Sequence, residues 1–244
     1  MRAVVLAAGR GVRMGGETPK TLLPVGTNDA LLHYILTGLA IAGVDDLLVV
    51  TGHRHVEIQD YVTANWKGPE AMYVRNARFA SWGNFHSVRV AVDQSPGLDL
   101  LIVNSDVVVN PKVYRRVADT RGDLVLAVEK RFTLDNEDMR VRLDGSSVRA
   151  VSKHLKKAFS HGEYTGVSLI RPRAAALYLE LSTDAEWQGD TTIYYEDIYD
   201  RMLGRCDARA ALIETGEYAE IDEPEDVFAA SNVILAHKDA WGTS

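Results

Sequence analysis

Cysteine is nearly missing from this chain, with Cys206 the single example in 244 residues. One thiol cannot close an internal disulfide, so the fold has to rest on its core, and a reducing cytoplasm is the expected compartment. Long hydrophobic runs are absent too. Nothing approaches the roughly 18 apolar residues of a membrane span. The short apolar run after Met1-Arg2 is not enough for a secretory signal, and the closing HKDAWGTS carries no lipidation motif. Basic charge is in deficit: 27 Lys and Arg stand against 34 Asp and Glu, a net charge of −7. That excludes a generally basic, nucleic-acid-binding surface but leaves room for a local basic pocket. There is no repeat, low-complexity tract or linker, so residues 1–244 are expected to form one domain.

What the chain does have is ordinary core material, 46% hydrophobic, arranged as apolar runs alternating with helical patterns. Strands are expected at 3–7, 46–51, 71–75 and 98–103, with helices at 29–42, 56–65 and 83–93 between them. This βαβ texture predicts an α/β, Rossmann-like three-layer sandwich with a mixed, mainly parallel central sheet. After residue 110 the texture changes. Short strands are expected at 123–128, 139–143, 148–151, 165–170 and 210–214, the second and third of these joined by an Asp144-Gly145 turn. Helices are expected to open at Pro172 and to cover 191–203 and 223–238. The division is thus a half over 1–110 and a second half over 111–244.

The densest chemistry follows the first strand. Gly9, Gly11, Gly15 and Gly16 surround Arg10 and Arg13, and Lys20 follows Pro19. Glycines let backbone N–H groups turn toward a phosphate, and fixed cations neutralise charge on its oxygens. The loop is neither a dinucleotide fingerprint nor a Walker loop, since the third glycine and the Gly-Lys-Ser/Thr ending are missing. A nucleoside triphosphate site is the reading that remains.

Leu6-Ala-Ala-Gly-Arg-Gly-Val-Arg-Met14 followed by Pro19-Lys-Thr-Leu-Leu-Pro-Val25 resembles the signature of the sugar- and alcohol-phosphate nucleotidyltransferases. The nearest branches are the LicC-type phosphocholine and the inositol-1-phosphate cytidylyltransferases. The resemblance implies attack of an acceptor phosphate on the α-phosphate of a nucleotide, with loss of pyrophosphate. It implies Leu6, Ala8, Gly9, Arg10 and Gly11 as nucleotide contacts and Arg13 and Lys20 as the catalytic cations. Residues 76–91 resemble the base-binding segment, which makes Gly83, Asn84 and Ser87 candidates, with Trp82 and Phe85 left to packing.

Asp106 ends the apolar strand that begins near Leu101, at the sheet edge where α/β proteins bind ligands. From the pattern alone it either holds Mg²⁺ or caps a turn. The resemblance favours the metal and adds Asp222 as the second ligand, ahead of Asp226. It also implies Lys153 on the acceptor phosphate, Glu163 near the acceptor hydroxyls and Gly166 where the acceptor approaches closely. Tyr194, Glu196 and Glu220 match a cage for a quaternary ammonium. The 133–139 stretch departs from that cage in having no tryptophan, which keeps aminoalcohol phosphates, aminophosphonates and polyol phosphates open.

The function expected is therefore a Mg²⁺-dependent cytidylyltransferase acting on CTP and a small phosphorylated alcohol or phosphonate. A sugar-1-phosphate nucleotidyltransferase using UTP, dTTP or GTP is the alternative, and a non-catalytic nucleotide-binding domain the third reading. No nucleic-acid or membrane partner is expected, and a homodimer stays open.

Overall fold

The computed structural model describes residues 1–11, 19–131 and 133–242. Four strands open the architecture in the order β5-β4-β1-β6: β1 Arg2–Ala7, β4 Asp46–Thr51, β5 Met72–Arg75 and β6 Leu100–Asn104. All are parallel, with Val4 of β1 facing Leu48 on one side and Ile102 on the other. The helices between them are α1 Leu31–Ile41, α2 His55–Asn65 and α3 Phe85–Asp93. Gly43, at φ +79, turns the chain out of α1.

The later strands β8 Leu124–Glu129, β9 Arg140–Asp144, β10 Ser147–Ser152, β11 Gly162–Ile170 and β12 Ala208–Ile213 complete a nine-stranded sheet. β11 is antiparallel to both β6 and β8, and β12 is parallel to β8. The β12-β10-β9 edge is antiparallel, and Gly145, at φ +59, makes the β9–β10 turn. The mixed sheet expected from the sequence is therefore present, with its parallel character concentrated in the first four strands.

The strands read as unbroken apolar runs because both faces are covered. Alternate side chains separate into two cores. Val5, Val49, Leu101 and Val125 pack with α1, α2, the helix α4 Lys112–Asp119 and the helix α7 Asp226–Ala236. Val4, Leu48, Ile102 and Leu126 pack with α3, the helix α5 Pro172–Gln188 and the helix α6 Tyr195–Met202. These are the three layers expected. Pro172 does open its helix, which Gly189 closes at φ +81.

Several elements differ from the sequence expectation. The helix expected over 191–203 begins at Tyr195, because the chain before it is held to Gly83 and Asn84: Gly83 N–H donates to Thr191 O at 2.7 Å and Tyr195 N–H to Asn84 Oδ1 at 2.9 Å. Helix α4 lies outside the sequence expectation. So do four short strands: β2 Pro24–Val25 with β3 Asp29–Ala30, and β7 Val107–Val109 with β13 Tyr218–Glu220. The second pair matters most. Its antiparallel register sets Glu220 against Val107, and Ile221 N–H donates to Asp106 O at 2.9 Å, which carries Asp222 to the side of Asp106.

Candidate active site

The parallel strands run outward from β1 in both directions, to β4 on one side and β6 on the other. Such a switch point leaves a crevice beyond the strand ends. Ser105 Oγ donates to Leu6 O at 2.8 Å and fixes the two ends together. A cleft of about 300 Å³ opens there. Its walls include Leu6, Ala8, Gly9, Gly11, Lys20, Thr21, Asn84, Ser87, Asn104, Asp106 and Asp222. Among the described residues nothing but its chain neighbours stands within 4 Å of where a Cβ on Gly9 would lie, and Gly11 adopts φ +57.

A second cleft, of about 170 Å³, adjoins it and is lined by Glu137, Met139, Lys153, Tyr164, Gly166, Tyr194, Glu196 and Glu220. Asn84, Asn104, Asp106 and Asp222 line both clefts. Two small-molecule spaces therefore meet at a pair of aspartates.

Lys20 lies between those aspartates. Its Nζ donates to Asp222 Oδ1 at 2.8 Å and to Asp106 Oδ2 at 3.3 Å. Burial works to lower the pKa of this amine, but the negative charge of Asp106 and Asp222 outweighs it and holds the pKa above the ordinary lysine value. Carboxylate oxygens of Asp106, Glu220 and Asp222 all lie within 4.8 Å of one another. Asp106 Oδ1 is buried with no hydrogen-bond partner among the described residues. An all-oxygen anionic donor set with an unmatched oxygen fits a hard divalent cation.

Glu220 is exposed and lines the second cleft, with its carboxylate close to those of Asp106 and Asp222. Lost solvation there, with repulsion from Asp106 and Asp222, pushes its carboxyl up to about 7. Glu196 is buried, and burial pushes it up to about 8. Tyr195, Tyr164, Tyr199 and Tyr178 form a buried aromatic cluster behind it. Tyr195 OH donates to Asn104 Oδ1 at 2.8 Å, which fixes the amide of Asn104 at the junction of the clefts.

The structure gathers most of the residues singled out in the sequence. Lys20, Leu6, Ala8, Gly9, Gly11, Asn84, Ser87 and Asp106 share the first cleft, and Lys153, Gly166, Tyr194, Glu196 and Glu220 the second. Asp222 borders both. Arg13 lies outside the described residues. Three of them lie outside the two clefts. Arg10 is exposed and lines neither cleft. Gly83 sits behind the first cleft, where a Cβ would fall 1.9 Å from Ile193 O, so it is a contact between two chain segments. Glu163 is absent from the second cleft because Tyr164 points into it, and neighbouring strand residues face opposite ways. Glu163 instead pairs with Arg131 at 2.7 Å. Arg131 also bonds Glu129, so one guanidinium serves two carboxylates; burial, only partly opposed by Arg131, pushes Glu163 up to about 8.

Asp226 accepts the Asp222 and Glu223 N–H groups, each at 2.8 Å, and so holds the loop that carries Asp222. Phe85 is buried and stacks on Trp82 at 5.8 Å. Sequence reasoning missed Thr21, Asn104, Glu137 and Met139. Asn104 carried a signal, two residues before the strand-end aspartate; the others carried none.

A glycine loop at the switch point of a parallel half-sheet, opening onto clustered carboxylates, defines an α/β protein built for phosphate chemistry on nucleotides. A family model described as the MobA-like NTP transferase domain matches residues 3–186, and the chain belongs to that family of nucleotidyltransferases. It is 36% identical over 124 residues to the CMP-5'-(3-aminopropyl)phosphonate synthase of Streptomyces rubellomurinus, covering 48% of this chain and 19% of that protein. It is 28% identical over 153 residues to the D-glycero-alpha-D-manno-heptose 1-phosphate guanylyltransferase of Aneurinibacillus thermoaerophilus, covering 58% of this chain and 65% of that protein. The chain therefore spans less than two thirds of either relative. Two solved structures share the fold. The inositol-1-phosphate CTP transferase of T. maritima aligns with a TM-score of 0.80 at 19% identity, over 96% of both chains. The CTP:phosphocholine cytidylyltransferase LicC of Streptococcus pneumoniae aligns with a TM-score of 0.77 at 21% identity, over 96% of this chain and 98% of that one. Among the described residues no helix is long and apolar enough to cross a membrane.

Proposed function

We infer that this chain is a Mg²⁺-dependent cytidylyltransferase that joins CTP to a small phosphorylated alcohol or phosphonate in the cytoplasm and releases pyrophosphate. The observation that carries this is the meeting of two clefts at Asp106 and Asp222. The first takes the triphosphate along Gly9 and Gly11, with Asn84 and Ser87 toward the base. The second takes the acceptor, its phosphate near Lys153. Residues 1–110 supply most of the first cleft and 111–244 most of the second, with Asp222 reaching back across.

An acceptor oxygen forms a bond to the α-phosphorus, and the bond from that phosphorus to the bridging oxygen breaks. The electron pair leaves with pyrophosphate. The attacking oxygen is already ionised near neutral pH, so no protein base is required, and catalysis is positioning and charge neutralisation. Lys20 holds its ammonium where negative charge gathers, and Arg13 is assigned the same task on the loop. Asp106 and Asp222, with Glu220 beside them, would hold Mg²⁺, which when bound supplies neutralisation of phosphate oxygens.

The preference for CTP draws support from the relative named for a CMP product. The guanylyltransferase relative keeps a second reading alive, a sugar 1-phosphate joined to GTP, UTP or dTTP. The test is pyrophosphate release with Mg²⁺, crossing five nucleotides with phosphoethanolamine, phosphocholine, inositol phosphate and sugar 1-phosphates. CTP with one of the first three is the expected pair. Release confined to sugar 1-phosphates moves the assignment to the second reading.

A further inference from the structure

Asn76 follows β5, is 1% exposed and lines neither cleft, yet all of its polar groups are engaged. Its N–H donates to Thr51 O at 2.8 Å, and its C=O accepts from Phe79 N–H at 3.3 Å. Its Oδ1 accepts from Arg78 N–H at 2.8 Å, and its Nδ2 donates to Ser87 Oγ at 2.9 Å. A backbone N–H only donates, so the amide end at Arg78 is the oxygen and the end at Ser87 the nitrogen.

That fixes the polarity of Ser87. Its oxygen accepts from Asn76, and an amide NH₂ takes no hydrogen in return, so the Ser87 hydrogen points elsewhere. Ser87 is 3% exposed, and no acceptor among the described residues takes that hydrogen. The residue lines the first cleft. A buried donor left unmatched is costly, and a ligand atom that accepts relieves it.

We infer that Asn76 is a positioning residue for base recognition: it commits Ser87 to donate, so the first cleft meets the nucleobase through an atom that accepts. The inference rests on reading that cleft as the place of CTP. In cytosine the accepting atoms are O2 and N3, and the exocyclic amine, which only donates, is kept away from Ser87. A serine free to turn its hydroxyl serves either kind of edge; one held by an amide serves one.

Asn76→Asp reverses the bond while keeping the shape of the side chain. The carboxylate accepts the Ser87 hydrogen and still accepts from Arg78, which leaves the lone pairs of Ser87 toward the base. Affinity for CTP with Mg²⁺ should be measured by calorimetry on the parent, Asn76→Asp, Ser87→Ala and the double variant. Tripolyphosphate, which has no base, is the control probe. Ser87→Ala should weaken CTP by about three- to tenfold, the worth of one hydrogen bond, and leave tripolyphosphate within about twofold. Asn76→Asp should weaken CTP by about tenfold or more, yet by less than about twofold once Ser87 is alanine. Equal losses with and without the Ser87 hydroxyl, or equal losses for tripolyphosphate, make Asn76 merely structural and overturn the inference. Unchanged CTP affinity in either single variant overturns it too. The expected cycle in a protein that releases no pyrophosphate with any acceptor keeps the inference and overturns the transferase reading. A parent that holds CTP no better than tripolyphosphate overturns both.

Discussion

At the scale of single residues, Lys20 keeps the carboxylate pair in balance. Asp106 and Asp222 would repel each other at the junction of the clefts, and the ammonium between them offsets that repulsion while remaining next to the space proposed for phosphate. Lys20→Ala removes the cation from both tasks. We expect kcat/KM to fall by about 10²–10³, the usual loss when one preorganised charge is taken from a transferring group. A rate within a few fold of the parent would take Lys20 out of the mechanism. This residue was legible in the sequence because its signal is local: Pro19-Lys20 follows the glycines at fixed spacing. Asn104 was less so, since its importance comes from Tyr195, whose hydroxyl reaches it from α6. Which cleft Glu163 meets was not legible, because a single strand offers two faces and only the paired neighbours decide between them; it lines a neighbouring cleft with Glu137, Glu220 and Asp222.

At the scale of elements, the boundary between α3 and the segment before α6 shows how tightly the site's scaffold is assembled. Gly83 lies where a Cβ would strike the Ile193 carbonyl, and Asn84 receives the first N–H of α6. Gly83→Ala must push two backbones apart, so it should destabilise the protein by about 1–3 kcal/mol, read from urea denaturation. An unchanged midpoint would mean that the two segments separate freely. Strands and helices with strong periodicity were legible, as were the Pro172 start and the Asp144-Gly145 turn. The β7–β13 pair was not, because three-residue strands carry almost no pattern and their pairing joins distant parts of the chain. The carboxylates were recognisable one by one, but their convergence depends on that unpredicted ladder.

At the scale of the whole molecule, buried acids couple stability to pH. Glu163 and Glu196 ionise near 4.5 when exposed and near 8 in the folded protein. Between those values the folded state holds protons that the unfolded chain has released. Their stabilisation is therefore complete below the unfolded value and drains away as pH rises through about 8. His86, lowered by burial, acts in the opposite sense, but only below its ordinary value of 6.5. From pH of about 7 to 9 these glutamates dominate, with Glu220 adding the same sign at the lower end, and the melting temperature of metal-free protein should fall and then level off across that interval. A flat or rising profile in differential scanning calorimetry would show that the two carboxyls are not kept protonated. The sheet itself carries a different consequence. β12 lies between β8 and β10, both made earlier, and the next strand, β13, delivers Asp222. During synthesis the ribosome releases these residues after the rest of the sheet, so a nascent chain waits with a slot in its middle and half its acidic pair. Completion of the scaffold and arrival of the last carboxylate proposed for the metal are then one event.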